Sequence, residues 1–83
     1  MRNVTEVRLW GHEHETEVIV EGADLVQVYI RGLARFEFTG AELWNYLKRP
    51  NIRREGVRVW GKDVVLVLFP EDILYLLNQL DGG

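Results

Sequence analysis

The chain has 83 residues, no cysteine and a formal net charge of −3. Without cysteine it can form neither disulfides nor thiolate metal sites, and its acidic balance argues against non-specific nucleic-acid binding, which needs a dominant positive field. The longest mostly apolar run, residues 64–70, is too short to cross a membrane, and residues 1–3 lead into a strand pattern rather than a signal peptide. We therefore expect a soluble, cytoplasmic protein.

The charge is distributed unevenly along the chain. Residues 1–30 carry two arginines and six acidic residues, residues 31–62 carry eight basic and three acidic residues, and residues 63–83 carry four acidic residues and no basic one. The basic middle is flanked by two acidic ends, so an anionic partner is compatible with the negative total.

Alternation of apolar and other residues with a period of two dominates the sequence and predicts six strands. The predicted strands cover residues 4–10, 14–22, 25–31, 33–38, 57–60 and 64–69. Turn sequences separate them because glycine tolerates the positive φ of tight turns. These turns are Gly11-His12-Glu13, Gly22-Ala23-Asp24, Arg31-Gly32 and Gly61-Lys62-Asp63.

Two helices are predicted by the signals at their ends. Residues 39–49 begin with a capping box, in which Thr39 accepts from the Glu42 amide and the Glu42 side chain reaches back, and Pro50 ends the helix. Residues 70–80 begin with Pro70 in the first turn, followed by two acidic residues at the positive end of the helix dipole. Gly82 can adopt the left-handed conformation that ends a helix.

The sequence thus predicts an α+β fold with the order β-β-β-β-α-β-β-α, in which an antiparallel sheet of three hairpins carries two helices packed on one face. Within a single domain, 1–83, residues 1–24 are expected to form an N-terminal hairpin, 25–50 a hairpin-helix unit and 51–83 a second hairpin-helix unit. Residues 26–47 align with residues 57–77, most clearly where the helices start. Either an internal duplication or the similar lengths of two amphipathic hairpins explains this similarity.

The segment VRLWG at residues 7–11 recurs as VRVWG at residues 57–61. In a strand, its aliphatic residues lie on one face and its arginine and tryptophan on the other. Because the aliphatic face is the natural partner of the helices, Arg8, Trp10, Arg58 and Trp60 are expected on the opposite face. The strand at residues 64–69 is apolar on both faces, which predicts burial on both. Either the sheet closes on itself or another chain covers its second face.

The surplus of aromatic residues favours a protein interface. The first helix spreads apolar side chains around more than half of its circumference, and tryptophan, tyrosine and arginine are the residue types that dominate interface hot spots. We therefore predict a protein-binding surface, formed between two copies of the chain, against the alternative that every aromatic residue belongs to the core. The predicted interface residues are Arg8, Trp10, Arg58, Trp60, Trp44 and Tyr46.

Residues 48–56, KRPNIRREG, concentrate four basic side chains in a proline-containing connection, namely Lys48, Arg49, Arg53 and Arg54. Such a segment can bind an anion or an acidic protein surface, including the acidic strand of a sister subunit. It can also hold the phosphates of a nucleic acid, with Trp44 or Tyr46 as a stacking surface, or it can be a solvated linker. Among the functional hypotheses a protein partner is preferred to nucleic acid.

His12 and His14 project from the same face of an extended strand, about 6–7 Å apart. That spacing permits both to bind one zinc or nickel ion. Their acidic neighbours point the other way, and no second pair of ligands is evident. A solvated hairpin tip is therefore the preferred interpretation, and we predict no metal or other cofactor.

Catalysis finds little support in the sequence. The chain has no cysteine and no serine, so the common nucleophiles are missing, and it lacks both a glycine-rich phosphate loop and an HExxH motif. We predict a non-enzymatic protein–protein interaction module, a homodimeric accessory regulator or inhibitor of the phage or mobile-element kind. The alternatives are a nucleic-acid-associated protein that uses residues 48–54 and a metal-responsive protein that uses His12 and His14.

Overall fold

The structure, a computed structural model, describes residues 3–10 and 15–82. These residues form an α+β fold whose strands and main helices follow the predicted order, with one additional short helix, α2. None of the helices in these ranges is long and apolar enough to cross a membrane. The elements are β1 (Thr5–Arg8), β2 (Thr16–Glu21), β3 (Leu25–Ile30), β4 (Ala34–Thr39), α1 (Gly40–Leu47), α2 (Ile52–Glu55), β5 (Val57–Trp60), β6 (Val64–Leu68) and α3 (Pro70–Leu80).

The strands form two three-stranded sheets. One has the order β2-β3-β4 and is antiparallel throughout. The other has the order β1-β6-β5, in which β1 runs parallel and β5 antiparallel to β6. Leu66 at the middle of β6 is the register partner of Val7 on one side and of Val59 on the other. We call this second sheet the β6 sheet.

The predicted N-terminal hairpin of residues 1–24, and with it the single antiparallel sheet, is wrong. β1 pairs with β6, while β2 pairs with β3 across the turn at Gly22, whose φ is +69°. The physical reason lies in β6, which is apolar on both faces and needs a hydrogen-bonded neighbour at each edge. β5 supplies one neighbour through a short turn, and β1 supplies the other. The turn predicted at residues 11–13 lies outside the described residues.

The hydrophobic core contains side chains of both sheets and of the helices. Helix α3 packs against β2, β3 and β6, and α1 packs against α3 and β4. Both predicted hairpin-helix units, β3-β4-α1 and β5-β6-α3, therefore contribute to one core. The largest fully buried apolar side chains are Phe38, Ile30, Leu43, Leu66, Leu68, Ile73 and Leu76.

Helix α1 begins with the predicted capping box. The Glu42 N–H donates to Thr39 Oγ1 at 3.2 Å, and the Thr39 N–H donates to Glu42 Oε1 at 3.0 Å. The Gly40 N–H donates in addition to Asp24 Oδ1 at 3.1 Å. A side chain at Gly40 would place its Cβ only 2.7 Å from that oxygen, so the position favours glycine. The start of α1 is thus tied to the turn between β2 and β3.

Replacing Thr39 with alanine is expected to lower the free energy of unfolding by about 1 kcal/mol, because the first turn of α1 loses its side-chain acceptor. Urea denaturation monitored by circular dichroism measures this change. Thr5→Ala is the matched control, because Thr5 is exposed in β1 and its loss is expected to change stability by less than about 0.5 kcal/mol. Equal effects of the two substitutions would contradict the capping role.

Candidate functional site

The outer face of the β6 sheet, the face turned away from the core, combines charged, aromatic and aliphatic side chains. Register places Glu6 and Trp60 on either side of Val65, and Arg8 and Arg58 on either side of Val67. Every residue of β6 is 0–3% exposed, which confirms the prediction that this strand is buried on both faces. We call this surface the outer face.

Charged side chains cover the outer face of β6. Arg58 Nη1 lies 2.9 Å from Glu6 Oε2. Because Glu6 and Arg58 flank β6 on opposite sides and share a face, their ion pair bridges across the strand. Their aliphatic stems can cover apolar surface while the charged ends stay in water. We expect these stems to contribute to the burial of Val65 and Val67.

Arg8 is held in a defined position on the same face. Its guanidinium carbon lies 4.3 Å from the centre of the Phe69 ring, a distance at which a cation is attracted to the ring face. Its Nη2 also lies 3.5 Å from Asp72 Oδ2. Arg8 is therefore oriented by stacking and by charge, although its side chain is still 42% exposed.

Asp72, the third residue of α3, is a fully buried carboxylate. Its Oδ2 accepts from the Phe69 N–H at 2.9 Å and thereby caps the start of the helix. Among the described residues, its Oδ1 has no hydrogen-bond partner. The positive end of the helix dipole favours an acidic group, which offsets part of the cost of burying one. Asp72 links the end of β6 to both α3 and Arg8.

A cleft of about 430 Å³ opens on the outer face. It is lined by Glu6, Arg8, Arg54, Glu55, Arg58, Val67 and Phe69. Three guanidinium groups thus surround an apolar floor, an arrangement that suits a carboxylate or phosphate, because arginine binds such groups in a bidentate manner. Two carboxylates in the same cleft reduce its positive charge.

The predicted interface residues do not all lie together. Arg8 and Arg58 line the cleft, and Trp60, which is 64% exposed, belongs to the same face. Trp10 is 55% exposed and also contacts α3, where its ring lies edge-on to Tyr75 with centroids 4.8 Å apart. Trp44 is 55% exposed but lines a separate cleft beside α3.

Tyr46 is half-buried and packs on the core. Its ring lies edge-on to Phe38 at a centroid distance of 6.2 Å. Burial raises the pKa of the Tyr46 phenol above its ordinary value, the negative charge of Glu42 adds to this shift, and Arg49 opposes it. The guanidinium carbon of Arg49 lies 5.0 Å from the Tyr46 ring centre. Tyr46 therefore contributes to the packing of α1 and leaves part of its side chain at the surface.

The basic segment divides between two environments. Of its four basic residues, Arg54 reaches the cleft with Arg8 and Arg58, whereas Arg49 stacks on α1. Lys48 and Arg53 are exposed. Arg54 is therefore the one predicted anion-binding residue that lines the same cleft as the predicted interface residues Arg8 and Arg58.

The predicted histidine site lies outside the described residues, since it consists of His12 and His14. In residues 3–10 and 15–82, no group of three or more histidine, aspartate or glutamate side chains is arranged to hold a metal ion.

Comparison with known proteins finds no matching family model, no matching curated protein and no matching solved structure. The guides to function are therefore the chain's own residues, chiefly the guanidinium and indole groups of the outer face.

Sequence reasoning missed three residues that shape this surface, namely Glu6, Phe69 and Asp72. For Asp72 a signal was present, because an acidic residue three positions after a helix cap can reach back to the backbone N–H of the cap. For Glu6 and Phe69 the sequence offers no comparable signal. Their roles depend on β1 lying beside β6.

Replacing Asp72 with alanine is expected to lower the free energy of unfolding by about 1–3 kcal/mol, because the Phe69 N–H loses its acceptor and Arg8 loses a charged partner. Thermal or urea unfolding measures the loss. Glu71→Ala is the control, since Glu71 is an exposed acidic neighbour in the same helical turn. If both variants lose the same stability, the effect belongs to the helix dipole alone.

Proposed function

We propose that the chain is a non-enzymatic protein–protein interaction module that forms a homodimer and binds through the outer face of the β6 sheet. The proposal rests on the exposure of Trp60. Its side chain is 64% exposed at the end of an edge strand, on the same face as Arg58. A tryptophan of that exposure leaves a large apolar area in water, and burial of such area stabilises association.

The mixture of charges on the outer face supports a protein partner over nucleic acid. Glu6 and Glu55 line the cleft together with its three arginines. These carboxylates repel a polyphosphate backbone, and the net charge of −3 does so at longer range. An acidic side chain of a protein partner needs only one guanidinium group and can be accommodated beside them.

The size and composition of this domain suggest a role for such a binding module. A domain of 83 residues without cysteine or serine is suited to act by occupying a surface of another protein. We therefore propose a small cytoplasmic regulator or inhibitor, of the kind that phages and mobile elements carry.

Sedimentation velocity over a range of protein concentrations tests the homodimer. We expect the wild-type chain to show a concentration-dependent dimer and Trp60→Ala to dissociate at least about tenfold more readily, because it loses the burial of one indole on each copy. Trp44→Ala is the matched control, since its indole is also 55% exposed but lies at the separate cleft. A wild-type chain that stays monomeric throughout would refute homodimerisation.

A salt titration with a short single-stranded oligonucleotide tests the nucleic-acid alternative. We expect no binding at roughly 0.15 M salt, where charges on the surface are screened beyond about 8 Å. Binding that loses part of its salt dependence in the Arg53→Ala/Arg54→Ala variant would favour nucleic acid instead.

A further inference from the structure

The free edge of β5 presents the backbone groups of Arg58 and Trp60. The Gly61 N–H donates to the Val64 carbonyl at 2.7 Å, which places the backbone groups of this opposed pair toward each other. Hydrogen-bonded positions alternate along an antiparallel strand. Val57 and Val59 therefore point their backbone groups toward β6, and those of Arg58 and Trp60 point away from it. Within the described residues, β5 is the last strand of its sheet on that side.

We propose that β5 pairs with β5 of a second copy in an antiparallel register centred on Val59. This inference rests on the proposed homodimer and places its contact at the β5 edge of the outer face, where Trp60 lies. In this register Arg58 of each copy stands opposite Trp60 of the other. Each of these two pairs exchanges both of its backbone hydrogen bonds, and the two Val59 residues face each other without them. The two β6 sheets then join into one continuous sheet.

Geometry reduces the choice of register. Opposed residues of an antiparallel pair share a face, and here only Arg58 and Trp60 have outward backbone groups. A register centred between two residues would oppose a residue whose backbone groups point outward to one whose groups point toward β6, and is therefore excluded. Two registers remain that overlap three of the four residues of β5, and these are centred on Arg58 or on Val59.

The charge of Arg58 distinguishes the two registers. Centring on Arg58 places two guanidinium groups directly opposite each other. Like charges in opposed positions are unfavourable. Centring on Val59 instead forms two arginine–tryptophan pairs, in which a cation lies against an indole. Of the two registers, it is the one in which no like charges are opposed.

The same pairing accounts for the exposure of Trp60, the most exposed large hydrophobic residue among those described. An open edge strand that ends in an exposed tryptophan is prone to pair with other chains. A two-fold pairing closes the edge, because it uses the outward groups of both copies, and it leaves the cleft arginines of each copy on the same continuous face.

Cysteine cross-linking reads the register directly, because the chain has no cysteine of its own. Val59→Cys is expected to form a disulfide-linked dimer on mild oxidation, since the two Cα atoms at a non-hydrogen-bonded pair lie about 4.5 Å apart. Arg58→Cys and Trp60→Cys are the controls. In the proposed register each of these positions is separated from its own copy by more than about 7 Å, which is too far for a disulfide.

Each outcome of the cross-linking has a distinct meaning. Cross-linking at position 58 or 60 instead of 59 overturns the register. A wild-type chain that dimerises in sedimentation while none of the three thiols cross-links overturns the β5 contact but leaves the proposed function in place. A wild-type chain that never dimerises overturns both.

A residue swap tests the arginine–tryptophan pairs. Trp60→Arg places two arginines opposite each other at both pairs and is expected to raise the dimer dissociation constant by about tenfold or more. The double variant Arg58→Trp/Trp60→Arg restores both pairs with the roles exchanged, and we expect its dissociation constant to return to within about threefold of the wild-type value. Failure of the double variant to recover, when circular dichroism shows that it is folded, contradicts the pairing.

Discussion

Burial of β6 on both faces is the constraint on which the described structure depends. Its five residues are 0–3% exposed, and each buried aliphatic side chain contributes about 1.5–3 kcal/mol relative to an exposed one. A strand of this kind needs a hydrogen-bonded neighbour at each edge and a cover on each face. β1 and β5 provide the edges, and the core with α3 covers the inner face. Charged side chains cover the other face.

That cover gives the outer face its chemical character. The Glu6–Arg58 pair is half-exposed, and an ion pair in such a setting contributes only about 0–1 kcal/mol. Loss of this pair is therefore expected to cost little stability. Arg8 differs because the Phe69 ring and the buried Asp72 fix its position. The face thus combines an arginine that contacts an aromatic ring and a buried carboxylate with an arginine in an exposed ion pair, next to the exposed indole of Trp60.

Much of the candidate site followed from the period of two in a strand. The pattern placed Arg8, Arg58 and Trp60 opposite the aliphatic face, and the structure has them exposed there. Trp10 is also exposed, but it packs against Tyr75 because β1 ends beside α3. Tyr46, also predicted at the interface, is half-buried and packs partly on the core. When a helix is apolar over more than half of its circumference, its sequence pattern does not show which of the apolar residues pack in the core.

The sequence by itself determined the elements whose signals are local. The capping box at Thr39, the proline at the start of α3 and the doubly apolar run of β6 act over a few residues, so the chain specifies them without its distant parts. Only the tertiary structure decided the partners. Periodicity specifies the face of a strand but not its neighbour, and the bond between Arg58 and Glu6 joins residues 52 positions apart. Such a contact requires β1 to lie beside β6. That pairing depends on burial of the whole sheet, which residues far apart in the sequence provide together.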